Sequence, residues 1–532
     1  MRIARHCSIR EWMSPRRPWR CGLRAGLALC CGLVLLLAPA TIGTAHADRE
    51  YSWTLDKDGA TMTSPMPYVY DFEIDGMYKE SGTFKNPADI FIDKDDNLWV
   101  ADTGNNRIVA FDAQGTYLGQ IAPTEGEGQL NAPEGIYVSD RGELWVADRG
   151  NGRIVQFSPE GQFVKALGKP PSRLLEGDQV YQPNKLVLDK RGYIYVLNGG
   201  GDYRGIFLLD SAGEFRGFFG ANRLKFDLGR LAIRLFTTEE QKKQISKVLP
   251  THHANVFIDE QGFVYTTSPL AERAQIQKLN PIGNNVYSAE SKFFGERERK
   301  AAQGTQGAQR SQSSQSTQGG QGAQNAPLAN PQFVDVTVDE RGVGSALDFN
   351  SGRIYQYDQS ANLLAIFGGR GAQRGKFELP QSLAVSSTGS IYVLDANRNN
   401  IQSFRPTEFA ELLHTGSQLF HDGRYQEASE VWQEVLRRNA FYELAHTGMG
   451  KANFKQGDYM AALREYAIAR NKDGYSQAFG EWRHDFLRTN FGWVLPLLVF
   501  AAWVFTTVIS RTVKQMMKMR FEPEGEPGGR PA

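Results

Sequence analysis

Leu98-Trp99-Val100-Ala101-Asp102-Thr103-Gly104-Asn105-Asn106-Arg107-Ile108 returns almost unchanged as Leu144-Trp145-Val146-Ala147-Asp148-Arg149-Gly150-Asn151-Gly152-Arg153-Ile154. Each copy is an apolar strand, a turn built from Asp, Gly and Asn, and the start of a second strand. A further strand precedes each copy, Asn86 to Asp93 in one case and Ala132 to Val138 in the other. Working outward, degenerate copies follow at Pro183–Asn198 and Asn255–Ser268, a further copy at Asp335–Asp348 and a strong one at Leu379–Asp395, which makes six over residues 84–404. Short strands at a period of roughly 40–50 residues are the signature of propeller blades.

Aligning the six copies gives two informative columns. The end of the second strand holds Asp102, Asp148, Asn198, Ser268, Asp348 and Asp395. An Asp there caps a tight turn through its side-chain oxygen, which is a structural duty. The position after the first-strand proline holds Asp89, Gly135, Lys185, Asn255, Asp335 and Ser382. The strand-like stretch Tyr68–Ile74 precedes the first blade and is expected to pair with the last one. That pairing closes the ring and removes exposed edges.

The rest of the chain changes character. Residues 1–47 combine Arg16, Arg17, Arg20 and Arg24 with an apolar run, Ala25–Ala40, and an Ala45-His46-Ala47 ending, as in a secretory signal. Such a segment is compatible with a start at Met1 or at Met13. All four cysteines lie within it, so the remainder offers no disulfide and no thiolate chemistry. Without residues 1–47, which carry seven Arg and one Glu, the chain has 53 basic and 58 acidic side chains. That balance excludes a basic footprint for nucleic acid. Two insertions interrupt the blades: 222–250, with helical apolar spacing, and 296–329, rich in Gln, Gly and Ser and expected to be disordered. Phe491–Ser510 is twenty residues without a charge, enough to span a membrane as a helix. Arg511, Lys514, Lys518 and Arg520 follow it, which places residues 511–532 on the cytoplasmic side and the large N-terminal part outside.

Between the blades and the span, residues 407–489 are helical in pattern. Gly416, Gly423, Tyr425, Ala428 and Trp432 recur 34 residues later as Gly450, Gly457, Tyr459, Ala462 and Tyr466. This pair resembles tetratricopeptide (TPR) repeats, although the proline that ends those repeats is missing. A third helix, Ser476–Thr489, is expected to lead into the span.

The blade pattern resembles the NHL repeat. The fold class expected is therefore mainly β: a six-bladed NHL-type β-propeller over 84–406, preceded by a segment 48–83 with the closing strand. A small α-helical TPR module and one transmembrane helix follow. The order of parts is similar to bacterial NHL/TPR proteins associated with sugar-type ABC transport systems. That resemblance implies a membrane-anchored extracytoplasmic binding or scaffold protein, serving a transport or cell-envelope complex or cell-wall glycans, with no cofactor. The alternative is a gluconolactonase-like, metal-dependent hydrolase. In that reading Asp89, Asn255 and Asp335 face the axis and hold a divalent cation, since oxygen donors suit Ca²⁺ or Mg²⁺. Lys185 enters the same ring, and its ammonium opposes a cation. A zinc lyase of the amidating type needs histidines from several blades. The propeller offers His252 and His253, adjacent in sequence and so pointing to opposite faces of a strand. Binding without chemistry is the reading the residues favour.

Overall fold

The computed structural model describes residues 51–55, 61–76, 80–175, 180–199, 205–220, 252–271, 274–287 and 331–520. The expected signal segment, both expected insertions (222–250 and 296–329) and residues 521–532 of the tail lie outside the described residues.

Strands β1 (Tyr51–Leu55) and β2 (Thr61–Pro65) form a hairpin, and β3 (Tyr68–Ile74) follows. Blade 1 is β4 (Asp89–Ile92), β5 (Leu98–Asp102), β6 (Arg107–Phe111) and β7 (Tyr117–Ile121). Blade 2 is β8 (Pro133–Val138), β9 (Leu144–Asp148), β10 (Arg153–Phe157) and β11 (Phe163–Leu167). Blade 3 is β12 (Pro183–Leu188), β13 (Ile194–Asn198), β14 (Ile206–Leu209) and β15 (Phe215–Phe219). Blade 4 shows three strands among the described residues, β16 (Asn255–Ile258), β17 (Val264–Thr267) and β18 (Ile276–Leu279). Blade 5 is β19 (Phe333–Val338), β20 (Gly344–Asp348), β21 (Arg353–Tyr357) and β22 (Leu363–Gly368). Blade 6 is β23 (Pro380–Val385), β24 (Ile391–Asp395) and β25 (Asn400–Pro406), with β3 antiparallel to β25 as its outer strand. Each first strand packs beside that of the next blade, from β4 around to β23 and back to β4. The chain is a six-bladed β-propeller.

The repeated turn explains the repeated sequence. Asp102 Oδ1 accepts the Lys85 N–H at 2.7 Å, and its Oδ2 accepts Arg107 Nε at 2.7 Å. Asp148 repeats both bonds with the Asn131 N–H and Arg153 Nε. Each turn closes through a left-handed residue, Asn106 at φ 54° and Gly152 at φ 61°. Asn and Gly tolerate that region best. Between blades, fully buried apolar side chains such as Ile136, Leu144 and Phe157 interlock. Trp145 and Tyr195 are buried in these layers, and Trp99 donates its indole N–H to Asp93 Oδ2 at 2.8 Å.

Four helices follow: α1 (Glu408–His421), α2 (Tyr425–Arg438), α3 (Glu443–Gln456) and α4 (Tyr459–Ile468). Thr407 caps α1 by accepting the Ala410 N–H, and it donates to Met66 O at 2.8 Å. Gly416 lets Trp432 approach to 3.1 Å of where a Cβ would stand, and Gly450 admits Tyr466 in the same way at 2.7 Å. The face of α1 carrying Phe409, Ala410, Leu413 and His414 is buried, and Phe409 and Leu413 pack with Val343, Leu364 and Ala365 of blade 5. Arg341–Glu411 at 2.7 Å and Tyr442 Oη to Leu364 O at 2.9 Å fasten the same contact.

Helix α5 runs unbroken from Lys472 to Arg520. The expected third helix is thus its first part rather than a separate element. No proline intervenes before Pro496, and Gly492 alone does not end the helix. Its apolar stretch is long enough to cross a membrane, with a mean hydropathy of 2.0 over its most apolar window and none of that window buried.

Candidate functional site

The six aligned first-strand positions meet at the propeller axis. In four of the six blades a β-bulge directs them there. The register of β8, β12, β19 and β23 slips between Pro133 and Gly135, Pro183 and Lys185, Phe333 and Asp335, and Pro380 and Ser382. A bulge at a strand start re-aims the side chain that follows it.

Five side chains and one gap form the resulting ring. Lys185 Nζ lies 2.5 Å from Asp89 Oδ1 and 3.8 Å from Asp335 Oδ2. Ser382 Oγ sits between the carboxylates, 2.9 Å from Asp89 Oδ1 and 2.7 Å from Asp335 Oδ2. Asn255 donates its amide to Asp335 Oδ1. Backbone N–H groups of Ile136, Val336 and Leu383 complete the carboxylates at 3.0, 2.8 and 2.8 Å. Gly135 is the gap. A Cβ there would stand 2.6 Å from Asn184 O and 2.8 Å from Lys185 Cα, so blade 2 leaves room for blade 3 to approach closely.

The ring's electrostatics follow from burial. Asp89, Asn255 and Asp335 are each no more than 3 % exposed. Burial pushes the Asp335 carboxyl above its ordinary range, Lys185 partly offsets this, and Asp89 adds to it. Burial alone would pull Lys185 down, but Asp335 and Asp89 raise it, and the net shift is upward. A hydroxyl has one proton, so Ser382 donates to one carboxylate at a time.

Asp89, Asn255 and Asp335 are therefore brought together. A divalent cation would draw on Asp89 Oδ1 and Asp335 Oδ2, which the Lys185 ammonium already engages. Asn255 Oδ1 is buried with no hydrogen-bond partner among the described residues, but one neutral oxygen is a poor set by itself, so the donors do not fit a metal while that ammonium is present. Among the described residues no three His, Cys, Asp or Glu side chains are grouped to hold a metal ion. His253 is buried with Nδ1 3.2 Å from Ser268 Oγ, and desolvation lowers its pKa to about 4. Ser268 stands at the second-strand position that Asp102 holds in blade 1.

Beyond the ring the axis widens into a cavity of about 920 Å³, floored by Lys185, Asn255 and Asp335 and walled by Phe91, Tyr137 and Phe257. Its mouth is made by the turns between first and second strands. The acidic residues there are mostly occupied by their own turns: Asp93 Oδ1 accepts Asp95 and Asn97 N–H, and Asp189 Oδ1 accepts Arg191 and Tyr193 N–H. Asp339 accepts the Val343 N–H at 2.7 Å and is pushed up to about 6 by burial. The helical module reaches this mouth, since Glu411 pairs with Arg341 in the blade 5 turn and lies 3.7 Å from where a Gly389 Cβ would stand in the blade 6 turn. Sequence alignment gives the ring positions. It does not give the contact between α1 and the mouth, because the apolar face of α1 says that it is buried and not against what.

The family model that matches is the NHL repeat, over residues 84–111 and 130–157. No curated protein matches the chain. Similar solved structures include a streptogramin B lyase, at 10 % identity and a TM-score of 0.37 over 68 % of this chain and 87 % of that one. A Bacteroides thetaiotaomicron protein of unknown function is similar at 13 % identity and a TM-score of 0.40, over 66 % and 80 %. A Xanthomonas campestris gluconolactonase is similar at 10 % identity and a TM-score of 0.38, over 64 % and 95 %.

Proposed function

We propose that this chain is a membrane-anchored, extracytoplasmic binding or scaffold protein, an accessory subunit of a transport (ABC-type) or cell-envelope complex. The observation that carries the reading is the Lys185 ammonium between Asp89 and Asp335. It offsets one of the two carboxylate charges from within and holds Asp89 Oδ1 and Asp335 Oδ2 in contact with the protein itself, while Asn255 Oδ1 is the ring oxygen with no hydrogen-bond partner among the described residues. An ammonium held there competes with a divalent cation for the same two carboxylates, which favours recognition over metal-assisted chemistry at this ring. The cavity above the ring, with aromatic walls and the helical module at its mouth, then serves as the recognition face. The four helices are read as two TPR-like repeats that stiffen this face on the blade 5 side, and α5 as the single span, with its basic end cytoplasmic. Cell-wall glycans suit the aromatic walls, and a membrane-protein partner suits the tether.

The second reading, a gluconolactonase-like hydrolase, is favoured by one observation, the convergence of Asp89, Asn255 and Asp335 at the axis. Metal analysis and a lactone-hydrolysis assay on the purified full chain separate the two. The binding reading expects no stoichiometric metal and no turnover, and cross-linking in native membranes that captures a transporter or envelope protein. One tightly bound Ca²⁺ or Zn²⁺, with turnover lost in Asp335→Ala, would overturn it.

A further inference from the structure

Helix α5 carries an aromatic row that the packing of the chain leaves largely uncovered. Of the eight Phe, Tyr and Trp residues between Lys472 and Trp503, seven fall in two columns that repeat every seven residues. Tyr475 and Trp482 lie in one column with Trp503; Phe479, Phe486, Trp493 and Phe500 form the other. Successive rings stack along the helix, with centroids 6.5 Å apart for Tyr475–Phe479, 5.6 Å for Phe479–Trp482 and 5.5 Å for Trp482–Phe486. Trp482 also packs back on the cluster of Leu463 and Tyr466. The others are open: Phe479 is 42 % exposed, Trp493 54 % and Trp503 61 %.

The period identifies the occupant as a helix. An α-helix has 3.6 residues per turn, so a strict seven-residue repeat drifts about 20° per heptad unless the helix winds around a partner. A stripe fitted to flat lipid or to a fixed protein face has no reason to keep that repeat. The row also continues from the charged part of α5 into the uncharged stretch, so the partner helix enters the membrane at the same place. A second copy of this chain meets that condition by construction. The bilayer fixes the depth and direction of Phe491–Ser510, so two copies present the same row in parallel and in register. Charge permits the approach: Lys472–Asn490 carries Lys472, Arg483 and Arg488 against Asp473, Glu481 and Asp485.

We propose that α5 pairs with α5 of a second copy of this chain through the aromatic row, forming a parallel two-helix stalk that carries two propellers. The proposal rests on the reading of α5 as membrane-spanning.

Cysteine cross-linking of the full chain in its membranes tests it. Thr489 shares the column of Tyr475 and Trp482, while His484 lies on the far side of the helix. The parent chain, whose four cysteines all lie within residues 1–47, sets the background. With copper phenanthroline as oxidant, Thr489→Cys is expected to give a band at twice the mass of the chain, at least tenfold above His484→Cys. Adding Phe486→Ala is expected to reduce that band several-fold. Equal cross-linking at both positions, no dimer at Thr489→Cys, or an adduct with a different protein would each overturn the pairing. Carbonate extraction reads the anchoring separately: retention in the membrane without a dimer sinks the pairing alone, and release from the membrane sinks both.

Discussion

Lys185 Nζ lies 2.5 Å from Asp89 Oδ1, although the two residues are 96 positions apart and stand on blades that are not neighbours. Blade 2 lies between them and contributes Gly135, which has no side chain to obstruct the reach. One ammonium therefore links three blades, since Asp335 of blade 5 is 3.8 Å away on its other side. This is a brace across the ring as well as a filled site.

Removing that cation leaves two buried carboxylates facing each other. Lys185→Met is expected to lower the unfolding free energy by about 3–5 kcal/mol, the usual cost of stranding a buried charge. Adding Asp335→Asn should restore part of the loss, because it removes one of the stranded groups. Denaturant midpoints of the three chains check this. An unchanged midpoint in Lys185→Met would show that the brace carries no energy.

The same ring yields a prediction about ligands. With Lys185→Ala, Asp89 Oδ1 and Asp335 Oδ2 lose their ammonium partner and join Asn255 Oδ1, which has no hydrogen-bond partner among the described residues, and oxygen donors of this kind suit Ca²⁺. Millimolar Ca²⁺ is expected to raise the melting temperature of Lys185→Ala and to leave that of the parent chain alone, since a ligand stabilises only the state that binds it. A chelator should reverse the gain. Equal responses of the two chains would locate any Ca²⁺ effect elsewhere.

Much of the propeller is legible in the sequence because its signals are local. Asp102 and Asp148 mark the ends of second strands through bonds made within their own blades, and Asn106 and Gly152 answer a left-handed turn. The ring positions align for the same reason, each standing near the start of its blade's first strand, four of them just after a bulge. What those residues do together is not local. The reach of Lys185 to Asp89 depends on the absent side chain of Gly135 on another blade. The seating of α1 on Val343 and Leu364 depends on two surfaces that no single stretch encodes. Composition divides helix α5 at Thr489, where charge gives way to apolar residues. The backbone has no breaker there and continues.

Acid is expected to weaken the protein through two buried histidines. Desolvation lowers His414 to about 3 and His253 to about 4 from the ordinary 6.5. Below pH 6.5 the unfolded chain binds protons that these folded rings refuse, so stability falls as pH falls toward their folded pKa values. From pH 6.5 to 5 each ring contributes on the order of 2 kcal/mol of loss, at 1.36 kcal/mol per pH unit. His414→Gln, which can keep a bond to Gln356, should remove about half of the combined decline. Unfolding midpoints at pH 7 and pH 5 read the difference; identical declines in parent and variant would exclude His414 as a source.

Tyr68 joins ring closure to the helical module. Its ring stacks on Phe367 at 4.4 Å, its hydroxyl donates to Gly389 O at 3.3 Å, and it accepts from Gln356 Nε2 at 3.0 Å. Gln356 Oε1 in turn lies 3.2 Å from Nε2 of the buried His414 on α1. Truncating Tyr68 to Ala thus empties a cavity where β3, blade 5 and the α1 network meet. Large-to-small changes of an aromatic in such a place cost about 3–5 kcal/mol. Tyr68→Phe keeps the stack and loses the hydroxyl bonds, for about 1 kcal/mol. The distinguishing readout is hydrogen exchange. Because one side chain serves both contacts, Tyr68→Ala should increase exchange in β25 and in α1 together, and Tyr68→Phe should do so weakly in both. Faster exchange confined to β25, with α1 unchanged, would mean that the helical module holds to the propeller independently of how the ring is closed.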